Sequence, residues 1–342
     1  MRKWADRRIA DLKSRGFDKA GLYDPPGVGG THVMYVLQHA DQPEIYAGLP
    51  NNPRISRLVE AWKGVGKYAG LALIGLTAAA GIIHHLLQGS EPRHPGGRGE
   101  RGSARWRWHM SETSGKGGEH IRVPRYSGSA RVNHWIVAIT FVLLLVSGLA
   151  QYVPVLYPLT ALFGGGAVVR WLHPILGLIL SVAFLGLFLR FFAQNLPEFT
   201  DFQWLARIRH VLAGNDQYLP EIGKYNAGQK FVFWAQLFLV GALLVTGIAL
   251  WEQGLGWFEN LLGFTVSIEQ KRWAAVIHAT AATLAIVVWI IHVYAAIWVR
   301  GTLSAMTRGH VTGGWGWRHH RKWLRKEVER GEVERPKVTA AE

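Results

Sequence analysis

The 342-residue sequence contains no cysteine. That excludes thiolate-held iron–sulfur clusters, disulfides, covalent CxxCH haem attachment and cysteine nucleophiles within this chain. Acidic residues are scarce, 23 Asp and Glu against 38 Lys and Arg, for a formal net charge of +15. Five apolar stretches contain no Asp, Glu, Lys or Arg at all: Tyr68–Leu87, His134–Val153, Trp171–Leu189, Phe231–Trp251 and Trp273–Val299. The first sixty residues lack an apolar run, so no cleavable signal peptide is expected there.

Each apolar stretch has the ~20 residues needed to cross hydrocarbon. A soluble helix of that length keeps a polar face, and these keep none, so membrane spans are expected rather than core helices. Trp135, Trp171, Trp234, Trp251, Trp273 and Trp298 sit at the ends, as interfacial aromatics do. Gly148, Gly177, Gly186, Gly241 and Gly247 offer places where a helix or a flat cofactor can approach closely.

Basic residues lie between the spans. Segment 90–131 holds nine Lys and Arg, 190–230 holds five, and the stretch after Arg300 is strongly basic; 152–170 holds only Arg170 and 252–272 only Lys271 and Arg272. The positive-inside rule then places 90–131, 190–230 and the C-terminus in the cytoplasm and the N-terminus outside. The basic stretch Arg2–Arg15 strains that assignment, although the rule weakens with distance from the span. The net charge reads as basic cytoplasmic loops of a membrane protein and not as nucleic-acid binding. Arg105–Trp108 could touch RNA, but an anionic lipid surface is its expected partner.

The expected organisation is an outer soluble segment at 1–64, an anchor helix at 65–89 and a flexible basic linker at 90–124. A four-helix bundle at 125–310 and a basic cytoplasmic tail at 311–342 follow. Within the first part, a short amphipathic helix (Trp4–Arg15) and a Pro/Gly turn at 25–30 are expected, with too little material for a comfortable core of its own.

Histidine carries the chemistry. His278 and His292 lie fourteen residues apart on one apolar stretch. A helix returns to within about 40° of the same face over that distance and rises ~21 Å. Alternation of the last four spans puts His134 and His292 at the inner level, and His173 and His278 at the outer level. Each pair can clamp one haem iron inside a helical bundle. Two axial imidazoles leave the iron no open position, which favours electron transfer over oxygen chemistry. The alternative, satisfied core histidines, weakens when four of them fall into two level-matched pairs. A closed zinc site has no carboxylate or thiolate to complete it. The other eleven histidines, His319 and His320 among them, are expected to be solvated or interfacial.

A second cluster, Lys224-Tyr225-Asn226-Ala227-Gly228-Gln229-Lys230, opens the fourth stretch at the inner level. Asn226 and Gln229 side chains and the Gly228 N–H are able to donate to quinone carbonyls. A polar turn feeding a helix explains the same residues, and both readings stand at this point.

From about Arg125 to Lys326 the chain resembles the gamma subunit (cytochrome b556) of membrane-bound bacterial formate dehydrogenases. The matching stretches are RVNHWIVAITFVLLLVSGL (131–149), LHPILG (172–177), GKYNAGQKFVFW (223–234), IHATAA (277–282) and HVYAAIWVRGTLSAM (292–306). Residues 5–89, with LKSRGFDKAGLYDPPGVGGTHVMYVLQHADQPEIYAGLP (12–50), resemble the C-terminal end and anchor helix of the iron–sulfur (beta) subunit of the same enzymes. The resemblance implies an all-α membrane protein: a di-haem cytochrome b bundle of four helices plus one anchor helix. It implies two haems b, held by His134/His292 inside and His173/His278 outside, and menaquinone at Asn226, Gly228 and Gln229. It also implies a bacterial inner-membrane location and catalytic (alpha) and iron–sulfur (beta) partners. A trimer of heterotrimers is left open. The chain itself is not expected to oxidise formate. Ala193 and Gln194 replace a histidine pair usual in gamma subunits, and Arg321 replaces a proline; neither position is a ligand. A hydrogenase or thiosulfate reductase cytochrome b, or a cofactor-free anchor, are the rival readings.

Overall fold

The computed structural model describes residues 2–25, 35–46, 49–51, 53–55, 57–90, 121–215, 218–263, 265–331 and 333. The chain divides into two units, 1–68 and 69–342.

In the first unit, α1 (Arg2–Ser14) buries Ala5 and Leu12 on one face. Strands β1 (Gly21–Tyr23) and β2 (Tyr35–Leu37) pair antiparallel, Gly21 opposite Leu37. A side chain at Gly21 would press on Ala40, its Cβ only 2.8 Å away. The turn expected at 25–30 lies outside the described residues from 26 onward. A short helix, Arg57–Ala61, passes through one wide turn at Trp62–Gly66 into α2 (Lys67–Gln88), which carries the chain into the second unit.

The second unit is built on four long helices: α3 (Gly128–Tyr152), α4 (Gly166–Phe191), α6 (Ala227–Leu250) and α8 (Ile268–Trp298). Two shorter helices, α5 (Phe199–Ala206) and α7 (Glu252–Leu262), lie in the connections. The start of each long helix is specified locally. Ser127 caps α3, and reciprocal capping boxes join Asn226 to Gln229 and Ser267 to Gln270 at α6 and α8. Before α4, Gly164 and Gly165 take φ values of 93° and 101°, which L side chains rarely adopt. The last helix starts at Ile268, five residues before the apolar run, because Ser267 and Gln270 supply its cap.

Long-range packing is concentrated between α6 and α8 and between α3 and α4. The five helices long and apolar enough to cross a membrane are only 6–28% buried over their apolar windows. Their outward faces are therefore apolar, as lipid demands and water does not tolerate. The chain is a multi-pass, all-α membrane protein, as its apolar stretches indicate.

Within the second unit α2 lies along α8. Gly70 admits Thr283 and Gly81 admits the ring of Tyr294. His84 joins the Tyr294 hydroxyl at Nδ1 and the Leu212 carbonyl at Nε2, the latter at 2.9 Å. Trp298, expected as an interfacial residue, is instead buried, and its Nε1–H donates to Gly89 O at 3.2 Å.

The region after α8 corrects the expected organisation. Strand β3 (Arg122–Pro124) pairs with β4 (His310–Thr312), so residues 121–124 are not linker. Helices α9 (Thr302–Thr307), α10 (Gly313–His319) and α11 (Arg321–Glu329) close a small core of Val123, Ala305, Val311, Trp315, Trp323 and Leu324. The stretch expected as a basic tail is thus packed through residue 333. His320, expected to be solvated or interfacial, is 2% exposed. Residues 91–120, with the expected flexible linker and Arg105–Trp108, and 334–342 lie outside the described residues.

Candidate functional site

The bundle brings four of the six side chains named from the sequence into two facing pairs. His134 on α3 and His292 on α8 stand with ring centres 6.3 Å apart and planes inclined by 53°. His173 on α4 and His278 on α8 stand 6.4 Å apart and 63° inclined. Two imidazoles on opposite sides of one metal, each bonded at about 2.0–2.1 Å, have ring centres about 6.3 Å apart. Both pairs therefore fit a single iron between them. Gly177 lies one turn past His173 on the same face, and no atom lies within 4 Å of where its Cβ would stand. The same is true of Gly241 on α6, so neither glycine obstructs a flat macrocycle.

The His173/His278 pair is held by a repeated device. Ser147 Oγ lies 2.8 Å from His173 Nδ1, and Thr246 Oγ1 lies 2.9 Å from His278 Nδ1. The residue after each hydroxyl is a glycine. Its missing Cβ makes room for the imidazole: one on Gly148 would stand 3.2 Å from His173 Cε1, and one on Gly247 would stand 3.4 Å from His278 Cε1. Gly186 likewise admits Asn133.

At the other end, among the described residues, His134 Nδ1 is buried without a hydrogen-bond partner. His292 is exposed and makes no hydrogen bond there. Asn226 and Gln229 spend their side-chain oxygens on each other's backbone N–H groups, at 2.8 and 3.0 Å. That is the polar-turn reading in atomic form, and it leaves both amide NH2 groups as donors. Gly228 is the second residue of α6, where an N–H has no acceptor within the helix. The Trp204 ring stands 3.3 Å from where a Gly228 Cβ would be. Asn226 also lines a cavity of about 70 Å³ with Trp204, Ile222 and Trp298.

Two polar constellations here were not read from the sequence. Lys230 makes a buried ion pair with Asp201 at 2.8 Å, fixing α5 against the first turn of α6. Arg125, 5% exposed, donates to Lys224 O at 2.5 Å and lies over the Trp315 and Trp323 rings, 4.7 Å from each centre. His320 joins this cluster through Gly223 O at 2.8 Å and Arg125 at 3.4 Å. Burial, and then the Arg125 guanidinium, hold His320 well below its ordinary 6.5. The C-terminal cap thus grips the backbone just before Asn226. Burial also pushes the Tyr225 hydroxyl, two residues past Gly223, well above 10.0.

Residues 125–309, which contain all four paired histidines, match the family described as prokaryotic cytochrome b561. The chain belongs to this family. It is a membrane electron-transfer protein that binds haem b. Residues 55–91 of this cytochrome match a second description, formate dehydrogenase N, transmembrane. The nitrate-inducible formate dehydrogenase cytochrome b556(Fdn) subunit of Escherichia coli K12 is 38% identical over 205 residues, 60% of this chain and 91% of the relative. The formate dehydrogenase cytochrome b556 subunit of Haemophilus influenzae is 34% identical over 207 residues, 60% of this chain and 84% of the relative. The N-terminal part is similar to the H. influenzae formate dehydrogenase iron-sulfur subunit, 56% identical over 89 residues, 26% of this chain and 28% of that subunit.

Proposed function

We propose that this cytochrome is the membrane subunit of a formate dehydrogenase that passes electrons from an iron–sulfur partner to menaquinone on the opposite side of the membrane. The observation that carries the reading is the pair of histidine pairs, 6.3 and 6.4 Å apart, at two levels of one bundle. Haem b at each pair supplies a one-electron carrier. His173 and His278 would hold the outer one, on the periplasmic side of a bacterial inner membrane; His134 and His292 would hold the inner one. Held through two imidazoles, such a haem would serve electron transfer rather than oxygen chemistry.

Quinone reduction also consumes protons. Asn226, Gly228 and Gln229 offer three N–H donors at the cytoplasmic end of α6, beside the cavity that Trp298 lines six residues after His292. Protons taken from that side while negative charge arrives from the other build a membrane potential. The front of the chain fits the iron–sulfur (beta) partner, and formate oxidation belongs to a catalytic (alpha) partner. The beta-like segment favours this assignment over a hydrogenase or thiosulfate reductase subunit.

Pyridine haemochrome analysis of the purified full chain tests the reading. Two haems b per chain are expected; a colourless chain would reduce the bundle to an anchor and end the proposal.

A further inference from the structure

The hydroxyls of Ser147 and Thr246 do more than fill space in two membrane helices. Ser147 is fully buried and Thr246 is 7% exposed. Each hydroxyl also lies within hydrogen-bond reach of a carbonyl of its own helix: Ser147 Oγ is 3.3 Å from Leu144 O and Thr246 Oγ1 is 2.6 Å from Ala242 O. Such back-bonding is ordinary for Ser and Thr in apolar helices. A neutral imidazole that binds a metal through Nε2 carries its ring proton on Nδ1, so in the proposed ligand role the contact to each histidine runs from Nδ1–H to the hydroxyl oxygen. The contact then favours that tautomer of His173 and His278 and holds each ring in one orientation.

The arrangement occurs twice in the same form. On α3 the dipeptide Ser147-Gly148 faces His173 of α4; on α6 the dipeptide Thr246-Gly247 faces His278 of α8. In each case the hydroxyl oxygen is placed to accept the ring N–H and the glycine lets the ring in. Among the described residues the His134/His292 pair has no such acceptor on either side.

Accepting the distal N–H makes an imidazole a stronger donor to its metal. A stronger donor stabilises the oxidised, more positive iron and lowers its reduction potential. We propose that Ser147 and Thr246 are positioning residues that orient both outer ligands and hold the outer haem at a lower potential than the inner one. The ordering favours electron flow from the outer level to the inner. This inference rests on the ligand assignment of the preceding section.

The test is a spectroelectrochemical titration of the purified full chain, with haem content measured in parallel. The native chain is expected to show two b-type transitions. Ser147→Ala and Thr246→Val should each move the lower transition upward and leave the upper in place. The double variant should move it further, and Thr246→Ser should restore the native value. Low-temperature electron paramagnetic resonance should show one low-spin signal altered in the two single variants, because its imidazole is freed to rotate. Loss of the outer haem alone from the double variant, with the inner transition intact, also supports the positioning role. Unchanged potentials in variants that keep both haems, or equal shifts of both transitions, would overturn it. Failure of the ligand assignment looks different: His278→Ala would then keep two haems per chain.

Discussion

The two histidine pairs have nearly the same spacing, 6.3 and 6.4 Å, in different surroundings. The His173/His278 pair is fastened from within the spans: two hydroxyls contact the rings and two glycines make room for them. The inner pair has no such fastening among the described residues; His134 Nδ1 is buried and unpartnered. What surrounds that end is a cap outside the spans, where Arg125 and His320 grip the carbonyls of Gly223 and Lys224. Rings fixed by hydrogen bonds, as at His173/His278, suit the passage of electrons alone proposed for that pair. For the quinone and proton access proposed at His134/His292, support from the side leaves the face of the site free.

The comparison breaks most directly at the ligands. His292→Ala is expected to leave one haem per chain and abolish quinone reduction, while His278→Ala removes the other haem. Pyridine haemochrome analysis and a titration of the remaining transition distinguish them; two haems in either variant would mean the pair is not a ligand pair. The next effect in size is at α6. Asn226→Asp keeps the oxygen that caps Gln229 N but loses the amide donor. One lost hydrogen bond of about 1–1.5 kcal/mol slows quinone reduction about tenfold. Haem content should not change, and unaltered quinone kinetics would exclude Asn226 as a donor.

Much of this was legible in the sequence. The charge-free stretches lead to the four-helix bundle, and the histidines paired from their places along those stretches are the ones whose rings stand 6.3 and 6.4 Å apart. The N-x-x-Q pattern at Asn226–Gln229 is a helix-start signal as well as a donor set, and the structure shows the cap. The cap after α8 was missed because its composition, rich in Arg and His, reads as solvated. The available clue was Trp315, Trp323 and Leu324, too apolar for a wet tail. Ser147-Gly148 and Thr246-Gly247 are visible as repeated dipeptides. Their meaning depends on how two helices register side by side, which one-dimensional spacing does not supply.

A smaller perturbation sharpens the outer half of the comparison. A Cβ on Gly148 would meet His173 at 3.2 Å, closer than the 3.4 Å between a Gly247 Cβ and His278. Gly148→Ala should therefore cost more stability than Gly247→Ala, about 1–3 kcal/mol against less than 1. Thermal unfolding of the haem-loaded chain measures the difference; equal midpoints would mean that both rings give way freely.

The smallest effect expected concerns the inner half, and it depends on pH. His320 is buried neutral among Trp315, Trp323 and the Arg125 guanidinium, with its Nδ1 at Gly223 O. Its folded value lies well below 6.5, so under 6.5 the opened cap binds a proton that the closed cap refuses. Cap stability is therefore complete above 6.5 and declines as pH falls below it, by at most about 1.4 kcal/mol per pH unit. Hydrogen exchange of the amides between 315 and 324, corrected for intrinsic rates, should quicken between pH 7 and pH 5.5. In His320→Gln, which cannot take up a proton, that extra pH dependence should vanish. If it persists there, a group other than His320 releases the cap, and the bracing of Gly223 and Lys224 does not depend on keeping this imidazole neutral.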